Sequence, residues 1–434
     1  MKKFLPILIL LISSALLIFY RFTDIPKFLA PDEVDFARLA YSLENKPYTP
    51  YSQLATGHST LYFYVLLASL KTFGANIFAL RFPAAIFGIL SILVFYLMIK
   101  IALEKQLSNE TMKQWFAFLL SIILLTSRWF LNFARFSFEP TFLLFLELTS
   151  IYFLLKFNED RKVKIRHSIS NFYIILSGLF AGLAFLSYTP GRIFFILPLS
   201  FFVFRLVNSL TRKQFDNKII KQLLYFLVPF VIIITPLTSY LFINKDSRVD
   251  QQFLLTNHEL SINEKVNGLW NNISSTTLMF FTKGDMNGRH NFPGKPAINP
   301  ILGILFILGL IITMKQWNND NNKLFIIYFL ISLLPALVTY SWENPNMLRT
   351  YTVLPSVVYF IGQGIIVILN LFQNLKLLGS RNKFGMTLFF IIIILSSVYE
   401  MHTYFVYQPL SFKNSFNQPD YLPVIYKDAK NKQK

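Results

Sequence analysis

The first 41 residues, MKKFLPILILLISSALLIFY (1–20), RFTDIPKFLA (21–30) and PDEVDFARLAY (31–41), decide how the chain is read. Two lysines precede an apolar run over 4–20, close to the roughly 20 residues that an α-helix needs to cross a bilayer. An acidic cluster follows at once, opened by a proline. Ten further apolar runs repeat the first signal, at 78–99, 115–131, 141–155, 172–187, 193–207, 223–243, 298–314, 324–340, 351–371 and 386–399. The reading is an all-α integral membrane protein with about 11 transmembrane helices (10–12). A polytopic body over 1–400 has outer loops at 21–77 and 244–297, and 401–434 forms a short extracytoplasmic C-terminal tail. The stretch 58–74 is apolar but short and carries Ser59, Thr60, Ser69, Lys71 and Thr72; it reads as interfacial or re-entrant, the alternative being a true span.

Of 434 residues, 54% are hydrophobic, 15% are charged and none is cysteine, which excludes a disordered chain, a disulfide scaffold and a cysteine-ligated metal. The 41 Lys+Arg against 22 Asp+Glu leave a net charge of +19, a balance that in a soluble protein suggests nucleic acid. Along this chain, 20 of the 41 lie at the N-terminus and in the short segments 100–114, 156–170, 204–221, 315–323 and 372–385. Such density marks cytoplasmic loops, so the N-terminus is expected inside, the C-terminus outside, in the cell (plasma) membrane. No nucleic-acid partner is expected. The bulky Tyr20-Arg21-Phe22 after the first run lacks the small residues of a cleavage site, so that run reads as an uncleaved anchor. No repeat or nucleotide fingerprint is visible, and the sequons at Asn109 and Asn272 read as chance.

On this topology the unusual polar residues gather on the outer side. They are Asp24, Asp32, Glu33 and Asp35 in the first loop, Arg128, Arg135 and Glu139 around the third and fourth spans, and Arg192 in the next turn. The run from Lys283 to Gly294 and the turn from Glu343 to Arg349 complete the set. Charges at the ends of spans mark functional sites by default. Pro31 sits where a helix begins, which puts Asp32 and Glu33 in the first turn of a short amphipathic interfacial helix. Plain capping accounts for acids there; the functional alternative makes one a general base and the other an orienting group or cation ligand. Arg135, Arg192, Arg289 and Arg349 offer planar forks suited to phosphate, against the alternative of anchoring at helix ends. His58, Glu139, Asp285 and His290 are candidates for acceptor contacts or a metal. A divalent metal ion therefore stays open, although no helical His-x-x-x-His pair exists.

Three stretches, Ala30-Pro-Asp-Glu-Val-Asp-Phe-Ala-Arg-Leu-Ala-Tyr41, His58-Ser-Thr-Leu-Tyr-Phe-Tyr64 and Leu80-Arg-Phe-Pro-Ala-Ala-Ile-Phe-Gly88, resemble the polyprenyl-phosphate-sugar-dependent glycosyltransferases of the GT-C type. That group includes the protein O-mannosyltransferases and the lipid A aminoarabinose transferases. The run Gly284-Asp-Met-Asn-Gly-Arg-His-Asn-Phe-Pro-Gly-Lys-Pro296 and Asn346-Met-Leu-Arg349 resemble bacterial members, so the similarity covers roughly residues 1–370. The resemblance implies the GT-C fold and an inverting sugar transfer at the outer face from a lipid-phosphate-linked sugar. It maps the catalytic carboxylate onto Asp32, with Glu33 in support, and matches Arg135 and Glu139 to a polar site. His58 is followed by Ser59-Thr60 where relatives commonly carry Pro-Pro, a departure that leaves the shape of that loop and any role for His58 open.

The expected partners are the bilayer, a polyprenyl-phosphate-sugar donor and an acceptor that is a glycan, a lipid or a protein; no nucleotide cofactor is needed. Two rival readings are a transporter or flippase for a lipid-linked glycan, and a non-catalytic partner in glycan assembly. Transporters usually show internal repeats and charges near mid-membrane, and here Glu147 stands nearly alone.

Overall fold

The computed structural model describes residues 4–104, 106–107, 109–163, 167–212, 217–374 and 381–431. In chain order the helices are α1 (Leu5–Phe19), α2 (Pro31–Ser42), α3 (Leu61–Phe73), α4 (Ile77–Ala102), α5 (Glu110–Thr126), α6 (Arg128–Phe133), α7 (Pro140–Val163), α8 (His167–Ser187), α9 (Ile196–Thr211) and α10 (Asn217–Ile243). They continue with α11 (Ser247–Gln252), α12 (Ile262–Met279), α13 (Pro300–Lys315), α14 (Asp320–Leu337), α15 (Leu354–Asn374), α16 (Arg381–His402), α17 (Gln408–Ser415) and α18 (Leu422–Asn431). Two short strands, β1 (Tyr51–Ser52) and β2 (His58–Ser59), pair antiparallel between α2 and α3.

Eight stretches among the described residues are long and apolar enough to cross a membrane, and all fall on expected spans: Ile77–Ala102, Pro140–Asp160, Ser170–Ser187, Thr189–Thr211, Asn217–Ile243, Asp320–Leu337, Tyr351–Leu371 and Phe389–Ser415. The other three expected spans are the helices α1, α5 and α13, of 15, 17 and 16 residues. Outward faces are apolar, as a hydrocarbon surroundings demands: on α10, Leu224, Val228, Val231 and Ile232 are all at least half exposed. The protein is a multi-pass membrane protein. At 13 residues, α3 is about 20 Å long at 1.5 Å per residue. It packs on α4, the helix that follows it.

Inside the bundle α4, α7, α8 and α10 pack in series, and α13 packs along α15. The second pair approaches closely because Gly309 and Gly364 face each other; a Cβ at Gly309 would run into the Phe360 carbonyl. Glu147, midway along α7, accepts a bond from the Tyr328 hydroxyl of α14 (2.7 Å) and is fully enclosed.

The loops at one end of the bundle form a continuous cap. Leu29, ahead of α2, bridges Gln418 beyond α17, and Phe253 after α11 bridges Thr339 after α14. Tyr41 of α2 meets Tyr426 of α18 ring to ring at 5.3 Å, so the segment after residue 400 is a packed part of this cap. Asn272 of α12 is buried, its amide donating to the carbonyls of Leu337 and Thr339, which leaves that sequon no free side chain.

Candidate active site

The adjacent carboxylates of α2 part company. Pro31 opens the helix, and Glu33 at its third position turns back to accept from the Ala30 amide (3.0 Å). It is wholly buried and also accepts from Arg81 Nε (2.9 Å), Arg81 Nη2 (3.0 Å) and the Ser137 amide (3.0 Å). Arg81 spends its remaining donors on the carbonyls of Pro26 (2.6 Å) and Phe28 (2.8 Å). Glu33 thus ties the helix start to α4 and to the α6–α7 turn, and every lone pair that could reach a ligand is occupied. Asp32 points the other way, 37% exposed and paired with Arg289. Both acids sit in the first turn, but only Glu33 makes the capping bond; Asp32 lines the cavity.

Asp285 organises the loop that supplies Arg289. Its carboxylate accepts from the Asn287 amide, the Met347 amide and His290 Nδ1, each at 2.8 Å. The Asn287 side chain in turn caps the Arg289 amide (3.0 Å). With Nδ1–H on Asp285, the His290 Nε2 keeps a lone pair, and that buried atom has no partner among the described residues. Gly294 takes φ +75° to close the loop. From behind, Asn132 Nδ2 donates to the carbonyls of Arg289 (2.7 Å) and His290 (3.2 Å), and Gln408 Nε2 holds Asn132 (2.9 Å). Arg128 binds Asn291 (3.2 Å), the Pro296 carbonyl (2.7 Å) and Glu400 (3.4 Å).

The opposite wall comes from α11 and the 341–349 turn. Arg248 lies 5.2 Å over the Tyr188 ring and 2.8 Å from His58 Nδ1. His58 sits between Glu139 (2.5 Å) and the Ala55 carbonyl (2.8 Å). Burial, reinforced by the Arg248 charge, pulls the His58 pKa below its usual 6.5. Burial alone would raise Glu139, but the charge and hydrogen bond of His58 and the charge of Arg248 hold it below the ordinary carboxylate range. Arg349 pairs with Glu343 and bonds Gln252 Oε1 (3.1 Å), while its buried Nη1 has no partner among the described residues.

These walls enclose a cavity of about 550 Å³ lined by Asp32, Asp35, His58, Arg248, Gln252, Asp285, Asn287, Arg289, His290, Trp342, Glu343 and Arg349 among others. A second, apolar cavity of about 380 Å³ adjoins it, formed by Pro190, Ile193, Phe253, Leu255, Leu334, Pro335 and Val338. The two share Tyr188, Arg248, Gln252 and Arg349. Six of the ten expected site residues therefore meet: Asp32, His58, Asp285, Arg289, His290 and Arg349.

The other four stand apart. Glu33 and Glu139 lie behind the wall as supports. Arg135 is fully buried and donates to the carbonyls of Leu17 (2.9 Å), Ile18 (2.5 Å) and Tyr20 (2.7 Å), which caps the end of α1. The expected phosphate role does not fit Arg135, because its fork is spent on backbone. Arg192 pairs with Asp246, which also accepts from Tyr51 (2.7 Å), and so fastens the β1–β2 hairpin to α11 rather than facing the cavity. Arg248, Gln252 and Trp342 escape a sequence reading: the first two sit on the six-residue α11 and the third on the short turn Ser341–Glu343, with no periodicity or spacing to mark them. Among the described residues no three His, Asp or Glu side chains group as a metal site would require.

Comparison with known proteins bears on the fold. Residues 57–240 match the sequence model of the dolichyl-phosphate-mannose-protein mannosyltransferase family. No curated protein sequence matches. Among solved structures, the archaeal oligosaccharyltransferase AglB from Archaeoglobus fulgidus, in complex with an inhibitory peptide and a dolichol-phosphate, is similar at 16% identity and a TM-score of 0.55, covering 94% of this chain. This chain spans 56% of that protein's length. ArnT from Cupriavidus metallidurans bound to undecaprenyl phosphate is similar at 13% identity and a TM-score of 0.54, covering 96% of this chain and 77% of that one. The fold expected from the motifs holds: the chain shares the GT-C fold of these two structures.

Proposed function

We propose that the chain moves a sugar from a polyprenyl-phosphate-linked donor to an acceptor at the extracytoplasmic face, with inversion. The carrying observation is the junction of the two cavities: a polar chamber holding an available carboxylate shares Arg248 and Arg349 with an apolar groove. A molecule that is sugar at one end, phosphate in the middle and hydrocarbon at the other matches that sequence of environments. The lipid phosphates bound in the structures of the two relatives support the same reading. The outer-face assignment rests on the short basic loops, which positive-inside bias keeps cytoplasmic.

In this reading Asp32 takes the proton from an acceptor hydroxyl or amine. The freed lone pair forms a bond to the anomeric carbon from the face opposite the phosphate. The bond from that carbon to the phosphate oxygen breaks, and the electron pair leaves with the polyprenyl phosphate. Arg248 and Arg349 face the charge that develops there, with the free Nη1 of Arg349 as the available donor; removing one such donor usually costs about 10²–10³ in rate. Arg289 orients Asp32, and the His290 Nε2 lone pair can position the acceptor's hydrogen. The test is transfer of labelled sugar in membranes. Asp32→Asn is expected to lose at least about 10²-fold in turnover, and full turnover would reject Asp32 as the base.

A further inference from the structure

We propose that Trp342, backed by Tyr340, is a stacking platform for a sugar ring at the cavity mouth, a role that rests on the transferase reading above. Trp342 lines the polar cavity yet is 78% exposed, the opposite of what a core indole does. One of its faces lies against the Tyr340 ring, with centroids 4.3 Å apart and planes 9° from parallel. That pair is fixed from behind: Asn257 Nδ2 donates to the Tyr340 hydroxyl (2.9 Å), and Ser341 Oγ donates to the Gly268 carbonyl (3.2 Å). The second indole face is therefore held open, its orientation settled before any ligand arrives, so little entropy is lost on binding.

An indole face carries negative charge density, and its complement is a flat array of weakly positive C–H groups whose polar atoms lie at the edge. A pyranose ring is such an object. Tryptophan also serves as an anchor at membrane interfaces. Position separates the two: Trp342 lines the chamber of Asp32 and Arg349, whereas the adjoining apolar groove is walled by Leu334, Pro335 and Val338 without it. The ring it stacks belongs either to the donor or to a glycan acceptor.

The experiment titrates the full chain in detergent with farnesyl phosphate, with farnesyl phosphate bearing one hexose or pentose from a panel, and with the corresponding methyl glycosides, read by calorimetry. If the donor sugar stacks, a sugar-bearing lipid binds more tightly than bare farnesyl phosphate, and Trp342→Ala erases an increment of about 2- to 10-fold. If an acceptor sugar stacks, that increment survives and methyl glycoside binding is the one lost. Trp342→Phe keeps most of either. The platform is overturned if wild type shows no sugar-dependent binding, if Trp342→Ala retains all of it, or if the variant weakens bare farnesyl phosphate equally. If farnesyl phosphate fails to bind wild type at all, the transferase reading falls and the platform with it.

Discussion

Glu33→Gln is expected to cripple folding while leaving the site's chemistry unaddressed, and Asp32→Asn to do the reverse. Glu33 has no exposed surface and opposes Arg81, which has none either. The amide keeps one acceptor oxygen, but its NH2 then faces donors, and the Arg81 charge stays buried with only the Pro26 and Phe28 carbonyls. Breaking a buried pair from one side costs about 3–5 kcal/mol, which is a large part of the stability of an ordinary domain. The Asp32–Arg289 pair is 37% and 27% exposed, and pairs of that kind contribute about 0–1 kcal/mol. Thermal unfolding of both variants in the same detergent, with lipid-phosphate binding measured on the folded fraction, reads the difference. A Glu33→Gln protein as stable as wild type, or an Asp32→Asn protein destabilised to the same degree as Glu33→Gln, would refute the division of labour.

Glu400→Gln removes the carboxylate beside Arg128 and should loosen the loop that presents Arg289, costing about 3 kcal/mol or more in thermal unfolding and increasing amide exchange over 284–296. Gly309→Ala should destabilise by about 1–3 kcal/mol, because the added methyl forces α13 away from the Phe360 carbonyl; calorimetric or light-scattering melts suffice to read it. Burial and Arg248 depress the His58 pKa in the folded chain, so below the ordinary value of 6.5 the unfolded chain takes the proton first and stability falls with pH. Arg248→Met raises the folded pKa, and the decline of the melting temperature from pH 6.5 towards pH 5 should become shallower than in wild type. The lowered Glu139 pKa acts in the same direction but in a lower window, below its reference value of 4.5.

Much of this was legible in the sequence because membranes simplify it. Apolar runs long enough to span and a proline before two acids each rest on a single dominant energy, and each located an element or a helix start. Six of the residues expected in a site line one cavity. What escaped was the use to which a charged side chain is put. Nothing in Asp32-Glu33 says which carboxylate turns inward, since that depends on Arg81, 48 residues away. Arg135 and Arg289 look equally suited to phosphate until α1 ends beneath one of them and offers its carbonyls. Arg248 and Trp342 carry no local pattern; they reach the cavity because α11 and the 341–349 turn come against the segment that carries His58.

The most direct measurement of the central claim is mass spectrometry of lipid-linked sugars and surface glycans in cells whose only copy of the gene carries Asp32→Asn. If Asp32 is the base, one polyprenyl-phosphate sugar accumulates while the matching sugar disappears from a surface glycan, lipid or protein, identifying donor and acceptor together. An unchanged lipid-linked pool with intact surface sugars, from a variant that is present and folded in the membrane, would contradict it.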